Sequence, residues 1–216
     1  MIRQLFLAAL TLMMVGNVTT AHAHSIWIES KDGKLVIHFA EPGSELEKSP
    51  GYLDSLTSPV AFIFVTSAPI AVEAAKKTDY FLLVNASPTN TACAESSFTV
   101  RGGRKPIFYA RWQPSGTGAG TPLLTLDLVP TGKAGEARVY FRGKPLGNVT
   151  ATLRTPDEKE QELTADAEGL LRFSSNQSGL HLLTIAHYRE PTALAGFHEG
   201  VAYQETSHNC ALTWRQ

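Results

Sequence analysis

Short apolar or alternating runs follow one another along most of the chain, separated by Gly, Pro, Asn and Asp. Runs of this length with turn residues between them are typical of β-sandwiches rather than of α/β units. The pattern predicts an all-β protein with strands at residues 34–39, 60–66, 80–85, 97–101, 107–112, 123–129, 137–141, 149–153, 169–173, 180–188 and 211–214. Residues 68–77 alone have a helix-friendly composition, and Pro69 argues against a helix there.

A stretch without periodicity, QPSGTGAGTP at residues 113–122, divides the chain. Its Gly, Ser, Thr and Pro content is typical of a linker. We therefore predict an N-terminal β-sandwich-like domain over residues 24–122 and a second domain over residues 123–216.

The second half has a characteristic order of strands and turns. A strand leads into the turn at residues 142–147, which contains GKPL, and the next strand ends before the turn DAEG at residues 166–169. A further strand, the turn at Ser178-Gly179 and a last pair of strands follow. This order predicts a prealbumin-like or carboxypeptidase-regulatory-like β-sandwich, in which the glycines serve the turns and not catalysis.

Residues 1–23 have the three parts of a secretory signal peptide. Arg3 is followed by an apolar run at residues 5–16, and Ala21-His22-Ala23 forms a small-x-small cleavage site. The segment predicts a periplasmic protein whose mature chain starts at His24. Cleavage after Ala21 is the alternative, and it would leave a histidine third from the new amine.

The rest of the chain excludes several classes of partner. Removing Arg3 with the signal leaves 18 of the 19 basic residues against 20 acidic ones, and no basic patch runs along the chain. Nucleic acid is therefore not an expected partner. After residue 23 no apolar run approaches the length of a membrane span, so we expect no membrane insertion of the mature chain.

A histidine at the mature N-terminus is a candidate metal ligand. Its α-amine and its own imidazole can chelate one ion, and imidazole suits copper, nickel and zinc. The amine titrates near pH 7.7 to 8, so a metal ion can displace its proton. The other interpretation is that the residue after the cleavage site is accidental and has no role.

Further histidines are candidate ligands in the second half. If residues 180–188 and 203–214 form a hairpin, His187 and His208 face each other at a spacing that suits two imidazoles on one metal. The loop between them adds Glu190, His198 and Glu199 as possible ligands. His38 and His181 are expected to be ordinary strand residues.

The chain has two cysteines, Cys93 and Cys210. In an oxidising compartment a disulfide between them is the expected state. The alternative is that Cys210 is a metal ligand, since it lies two residues after His208.

Nine short segments resemble the periplasmic component of cobalt and nickel uptake systems, an uncharacterised two-domain β family. They are HSIWIE at 24–29, HFAEP at 38–42, KSPGYLDSL at 48–56, IFYARW at 107–112, LDLVP at 126–130, FRGKPL at 141–146, AHYRE at 186–190, HEG at 198–200 and HNCALT at 208–213. His208 occupies the position of a histidine in the family's usual ending, while Asn209 and Cys210 replace a more usual aromatic. The resemblance implies capture of one divalent transition metal, nickel or cobalt, and its delivery to a membrane transporter. The amine and imidazole donors of His24 lean toward copper, which tops the affinity order.

Two other classes remain open from the sequence. One is a copper-dependent oxidase, which would also begin with a mature histidine, and the other is a structural or interaction module without a metal. No Ser-His-Asp or paired-carboxylate pattern stands out, so hydrolysis is not expected. The resemblance implies metal binding rather than catalysis, so we do not expect an enzyme.

Overall fold

The computed structural model describes residues 23–65, 68–115, 118–174, 176–190 and 195–216. The predicted signal peptide lies outside the described residues except for Ala23. The described chain consists of β-strands and turns with a short 3₁₀ turn at Tyr52–Ser55, which confirms the all-β prediction.

The strands are numbered in chain order. The first half contains β1 (Ser25–Lys31), β2 (Lys34–Ala40), β3 (Val60–Phe64), β4 (Pro69–Val72), β5 (Ala74–Lys76), β6 (Phe81–Leu83), β7 (Thr91–Ser97) and β8 (Arg104–Trp112). The second half contains β9 (Leu126–Pro130), β10 (Glu136–Phe141), β11 (Lys144–Pro145), β12 (Thr150–Arg154), β13 (Glu160–Thr164), β14 (Leu170–Arg172), β15 (Leu180–Arg189), β16 (Gly196–His198), β17 (Val201–Tyr203) and β18 (Glu205–Arg215).

One eight-stranded sheet runs through both halves in the order β13-β12-β15-β18-β8-β7-β3-β4. Its central pair, β18 and β8, is parallel and joins the two halves from Glu205 opposite Arg104 to Thr213 opposite Trp112. Two smaller sheets pack on it, one with the order β1-β2-β6-β5 and one formed by β11, β10 and β14 with β9 beside β10. Strands β16 and β17 form a separate ladder.

The two smaller sheets cover opposite faces of the large sheet. Along β8, Phe108 and Ala110 belong to the first hydrophobic core, whereas Tyr109 belongs to the second. Successive side chains of a strand point to opposite faces, so each core fills one side of the sheet. The first core contains Ile26, Leu35, Ile37, Phe39, Phe81 and Trp112, and the second contains Leu126, Leu128, Val139, Leu153, Leu183 and Leu212.

A buried ion pair holds the end of the predicted linker. The Arg111 guanidinium donates to both carboxylate oxygens of Asp127, at 3.0 and 2.6 Å, and both side chains are buried. Arg111 also donates to the Thr121 carbonyl, and the backbone N–H groups of Leu123 and Leu124 donate to Asp127. The ion pair therefore fixes the chain just before β9. The boundary at residue 122 remains a prediction.

Two segments differ from the sequence-based expectation. Residues 68–77, the one segment with a helix-friendly composition, contain the strands β4 and β5. The strand predicted at residues 97–101 lies earlier, at Thr91–Ser97, because that segment pairs with β3 and β8 on both sides. Its sequence, TACAESS, has little apolar content, and tertiary pairing overrides this weak local signal.

Candidate functional site

His24 lies directly before β1, between two carboxylates. Its Nε2 is 2.7 Å from Glu47 Oε1, and its Nδ1 is 3.8 Å from Glu41 Oε1. The position follows from the sheet, because Ser25 pairs with Ala40 and the chain leaving β2 therefore passes beside His24. The backbone N–H of Glu47 donates to the Phe39 carbonyl, which holds the loop against the strand.

The short contact with Glu47 determines how the His24 ring can act. An ionised carboxylate only accepts hydrogen bonds, so Nε2 carries the proton and donates it. In the neutral imidazole the lone pair is then on Nδ1, the nitrogen nearer the backbone. The ring is further fixed by Phe39 and Tyr52, whose centroids each lie 5.1 Å from its own.

Side chains alone do not complete a metal centre around this histidine. Within the part of the chain that the structure describes, no three His, Cys, Asp or Glu side chains are arranged to hold an ion. The predicted set of His24, His187, His198 and His208 is therefore not gathered around one point.

His208 lies on the other face of the large sheet from His24. Its Nε2 is 3.0 Å from Glu190 Oε1, its Nδ1 is 3.0 Å from the Tyr109 hydroxyl, and its ring stacks on Tyr109. Burial lowers the pKa of His208, although the hydrogen bond and charge of Glu190 act in the opposite direction. Both ring nitrogens are hydrogen-bonded, so neither is free to bind a metal ion, and the residue stabilises the second core.

The predicted pairing of His187 with His208 is wrong. The register between β15 and β18 shifts between Ile185 and Tyr188, and Tyr188 lies opposite His208. His187 has a φ of 55°, and its backbone N–H donates to the Asn209 side-chain carbonyl at 2.9 Å. This bulge turns the His187 side chain toward a cavity that His24 also lines. Burial and the nearby arginines 104 and 189 lower the pKa of His187.

His198 belongs to the small β16–β17 ladder. Its Nε2 is 3.5 Å from the Ser97 hydroxyl oxygen, at the limit of a hydrogen bond. The two histidines expected to be structural have strand environments: His38 Nε2 is 3.0 Å from Glu29 Oε1, and the His181 ring stacks on Trp214.

The predicted disulfide between Cys93 and Cys210 is not formed. Both residues are free, buried thiols. Cys93 is on β7 and Cys210 on β18, and β8 lies between these strands. Two strand spacings amount to about 9 to 10 Å, whereas a disulfide needs Cα atoms within about 7 Å. Burial raises the pKa of Cys93 to about 12 and that of Cys210 well above its usual value.

His24 borders two cavities that the sequence did not reveal. The larger, of about 270 Å³, lies toward Arg154, Glu160 and Thr184. The smaller, of about 190 Å³, is lined by His187 and by aromatic and basic side chains, Phe39, Tyr52, Phe98, Phe108, Arg101 and Arg104. The residues that line each cavity come from distant segments, so no local sequence motif predicts either cavity.

Comparison with known proteins leaves the family of the chain open. No known protein family and no curated protein matches the sequence. Among solved structures, the crystal structure of chicken CNTN1 FN1–FN3 domains is 10% identical, with a TM-score of 0.20, over 89% of this chain and 66% of that one. A similarity this low carries no argument about function. Among the described residues, no helix is long and apolar enough to cross a membrane.

Proposed function

We propose that the mature chain is a periplasmic metal-binding protein that captures nickel, cobalt or copper through His24 and delivers the ion to an uptake transporter. The observation that carries the proposal is the pair of carboxylates around the His24 ring, with Glu47 2.7 Å from Nε2 and Glu41 3.8 Å from Nδ1.

The chemistry of these donors fits a transition metal once the chain is cleaved before His24. The new α-amine and Nδ1 of the same residue form a chelate, and imidazole with amine nitrogen suits copper and nickel. Glu41 would add a carboxylate on the Nδ1 side of the ring. Histidines that ligate metals usually donate their second N–H to a carboxylate, which is the role of Glu47.

The exposure of the site suits capture and release. The His24 side chain is 27% exposed, and the Glu41 side chain is 39% exposed, so an ion bound here would remain within reach of a partner protein. Among these metals, copper is expected to bind most tightly, followed by nickel and then cobalt.

The test is metal binding by the exported protein. Intact mass should give a chain starting at His24, and titration with Ni²⁺ or Cu²⁺ should give one equivalent. His24→Ala should abolish this binding, and Glu47→Gln should weaken it by about 10- to 100-fold, because the ring loses its orientation. His198→Ala is the matched control and should leave affinity unchanged.

A second control isolates the amine. The same chain with the His24 α-amine acetylated keeps every side chain but turns the amine into an amide nitrogen, so tight binding should be lost. A correctly processed, folded protein that binds neither metal would overturn the proposal. Equal binding with and without the acetyl group would overturn the role of the amine.

A further inference from the structure

The cavity of about 190 Å³ beside His24 combines an apolar wall with positive charge. Four aromatic rings, from Phe39, Tyr52, Phe98 and Phe108, contribute to its lining, together with Arg101 and Arg104. Pockets for drug-sized ligands measure about 300 to 1,000 Å³, so this cavity suits a smaller molecule.

A tight turn brings the two arginines together. The backbone N–H groups of Arg101 and Arg104 each donate to the carbonyl of the other at 3.0 Å, and Gly102 and Gly103 between them have φ of 56° and 73°. Two central residues with positive φ define a type I′ hairpin, in which the flanking residues lie directly opposite each other on one face. Two positive charges directly opposite each other repel and destabilise the hairpin, and an anion bound between them would remove this repulsion.

In the described part of the chain, neither arginine is neutralised by a carboxylate. Among the described residues, none of the ion pairs within 4.0 Å includes Arg101 or Arg104. The Arg101 guanidinium lies instead over the rings of Tyr52 and Phe98, at 4.9 and 5.1 Å. Glu205, which faces Arg104 across the β18–β8 pair, forms its ion pair with Arg189.

A buried hydroxyl group in the same cavity also lacks a hydrogen-bond partner among the residues that the structure describes. Ser207 is 1% exposed and lines the cavity, and its Oγ makes no hydrogen bond to any described residue. Buried polar groups are nearly always hydrogen-bonded, and leaving one unpaired is costly. Ser207 lies opposite Pro106 across the strand pair, two residues from Arg104, so the free hydroxyl and the guanidinium are on adjacent strands.

We propose that this cavity binds a small organic anion with a flat apolar body. Its carboxylate would pair with Arg101 and Arg104 and accept a hydrogen bond from the Ser207 hydroxyl, while its body packs on the aromatic rings. Guanidinium groups match the geometry of carboxylates, and an aromatic wall favours an aromatic acid over an inorganic anion. The proposal is argued from the arginines, the aromatic rings and Ser207, and it does not depend on the metal chelate at His24, which borders the same cavity.

Benzoate is the probe, titrated into the exported full chain by calorimetry and by NMR. Three matched compounds separate the contributions: benzamide keeps the ring without the charge, acetate keeps the charge without the ring, and benzylamine reverses the charge. We expect benzoate to bind at least tenfold more tightly than each of them, and its affinity to fall as salt is added.

Variants then test the residues. Arg101→Gln with Arg104→Gln should weaken benzoate binding at least tenfold, and Ser207→Ala should weaken it severalfold, while Arg215→Gln, an exposed arginine elsewhere, should have no effect. The urea midpoint verifies that each variant is folded. Failure of benzoate to bind, or equal binding of benzoate and benzamide, would overturn the proposal. Nickel or copper titration of the double arginine variant tests the metal site separately, so failure of the benzoate site can be told apart from failure of the metal site.

Discussion

His24 and His208 show how strongly the surroundings of one residue type determine its role. His24 is partly exposed and has one ring nitrogen bound to Glu47, which leaves Nδ1 available. His208 is buried, and both its ring nitrogens are hydrogen-bonded, to Tyr109 and Glu190. The sequence offered both as metal ligands, and only the environment of His24 keeps a donor free.

The buried state of His208 predicts a dependence of stability on pH. Burial lowers its pKa in the folded protein, whereas in the unfolded chain a histidine titrates near pH 6.5. Its contribution to the free energy of unfolding is therefore complete above that pH and is lost as the pH falls through the lower, folded-state pKa, because the unfolded chain takes up the proton first. Between pH 7.5 and pH 5.5, the free energy of unfolding measured in urea should fall less for His208→Gln than for the native chain.

His187→Gln is the matched control for this measurement. His187 also has a lowered pKa but is more exposed, so its replacement should reduce the pH dependence less than that of His208. Identical pH dependence of the native chain and the His208 variant would contradict the assignment of His208 as a buried, neutral residue.

At the scale of elements, the turn at residues 101–104 illustrates how glycine fixes local geometry. Gly103 has a φ of 73°, and a Cβ atom added there would meet nothing within 4 Å. A side chain at this position therefore causes no clash, and its effect on stability comes only from the energy of holding a non-glycine residue at positive φ. Gly103→Ala should lower the free energy of unfolding by roughly 1 to 2 kcal/mol in urea titrations.

Gly103→Asn is the control, because asparagine tolerates the left-handed conformation and should cost less than alanine. Since the turn also aligns the two arginines, we expect the alanine variant to bind benzoate more weakly than the asparagine variant. Equal stabilities of the two variants would argue against a type I′ turn at this position.

The β15–β18 pair shows why element positions are easier to predict than register. Both strands were predicted, and the structure contains them at Leu180–Arg189 and Glu205–Arg215. One bulge shifts the pairing so that Tyr188 and not His187 lies opposite His208. The bulge depends on a hydrogen bond from the His187 backbone to Asn209, a contact between strands that no local pattern encodes.

At the scale of the whole molecule, the eight-stranded sheet links the two halves. Strand β8 contributes side chains to both cores and pairs with β18, which contributes side chains to the second core, so the two cores share a strand of one continuous sheet. We therefore expect one cooperative unfolding transition.

Tryptophan fluorescence tests this because the residues report on different cores: Trp112 lies in the first core and Trp214 in the second. The double variants Trp27→Phe, Trp214→Phe and Trp27→Phe, Trp112→Phe each keep one tryptophan, Trp112 or Trp214. In urea titrations the fluorescence curve of each variant should coincide with its own circular dichroism curve. Separate transitions for the two cores would instead support two independent domains.

The sequence by itself determined the strand-rich character of the chain, most strand positions and the candidate at His24. These features depend on local patterns: alternation of apolar residues, turn residues and a cleavage motif. Tertiary structure alone decided the pairing of β8 with β18, the separation of Cys93 from Cys210, the hydrogen bonds that occupy His208, and the cavity that joins Arg101, Arg104 and Ser207. Each of these depends on contacts between residues far apart in the chain, whose register is set by packing and by single bulges rather than by any short stretch of sequence.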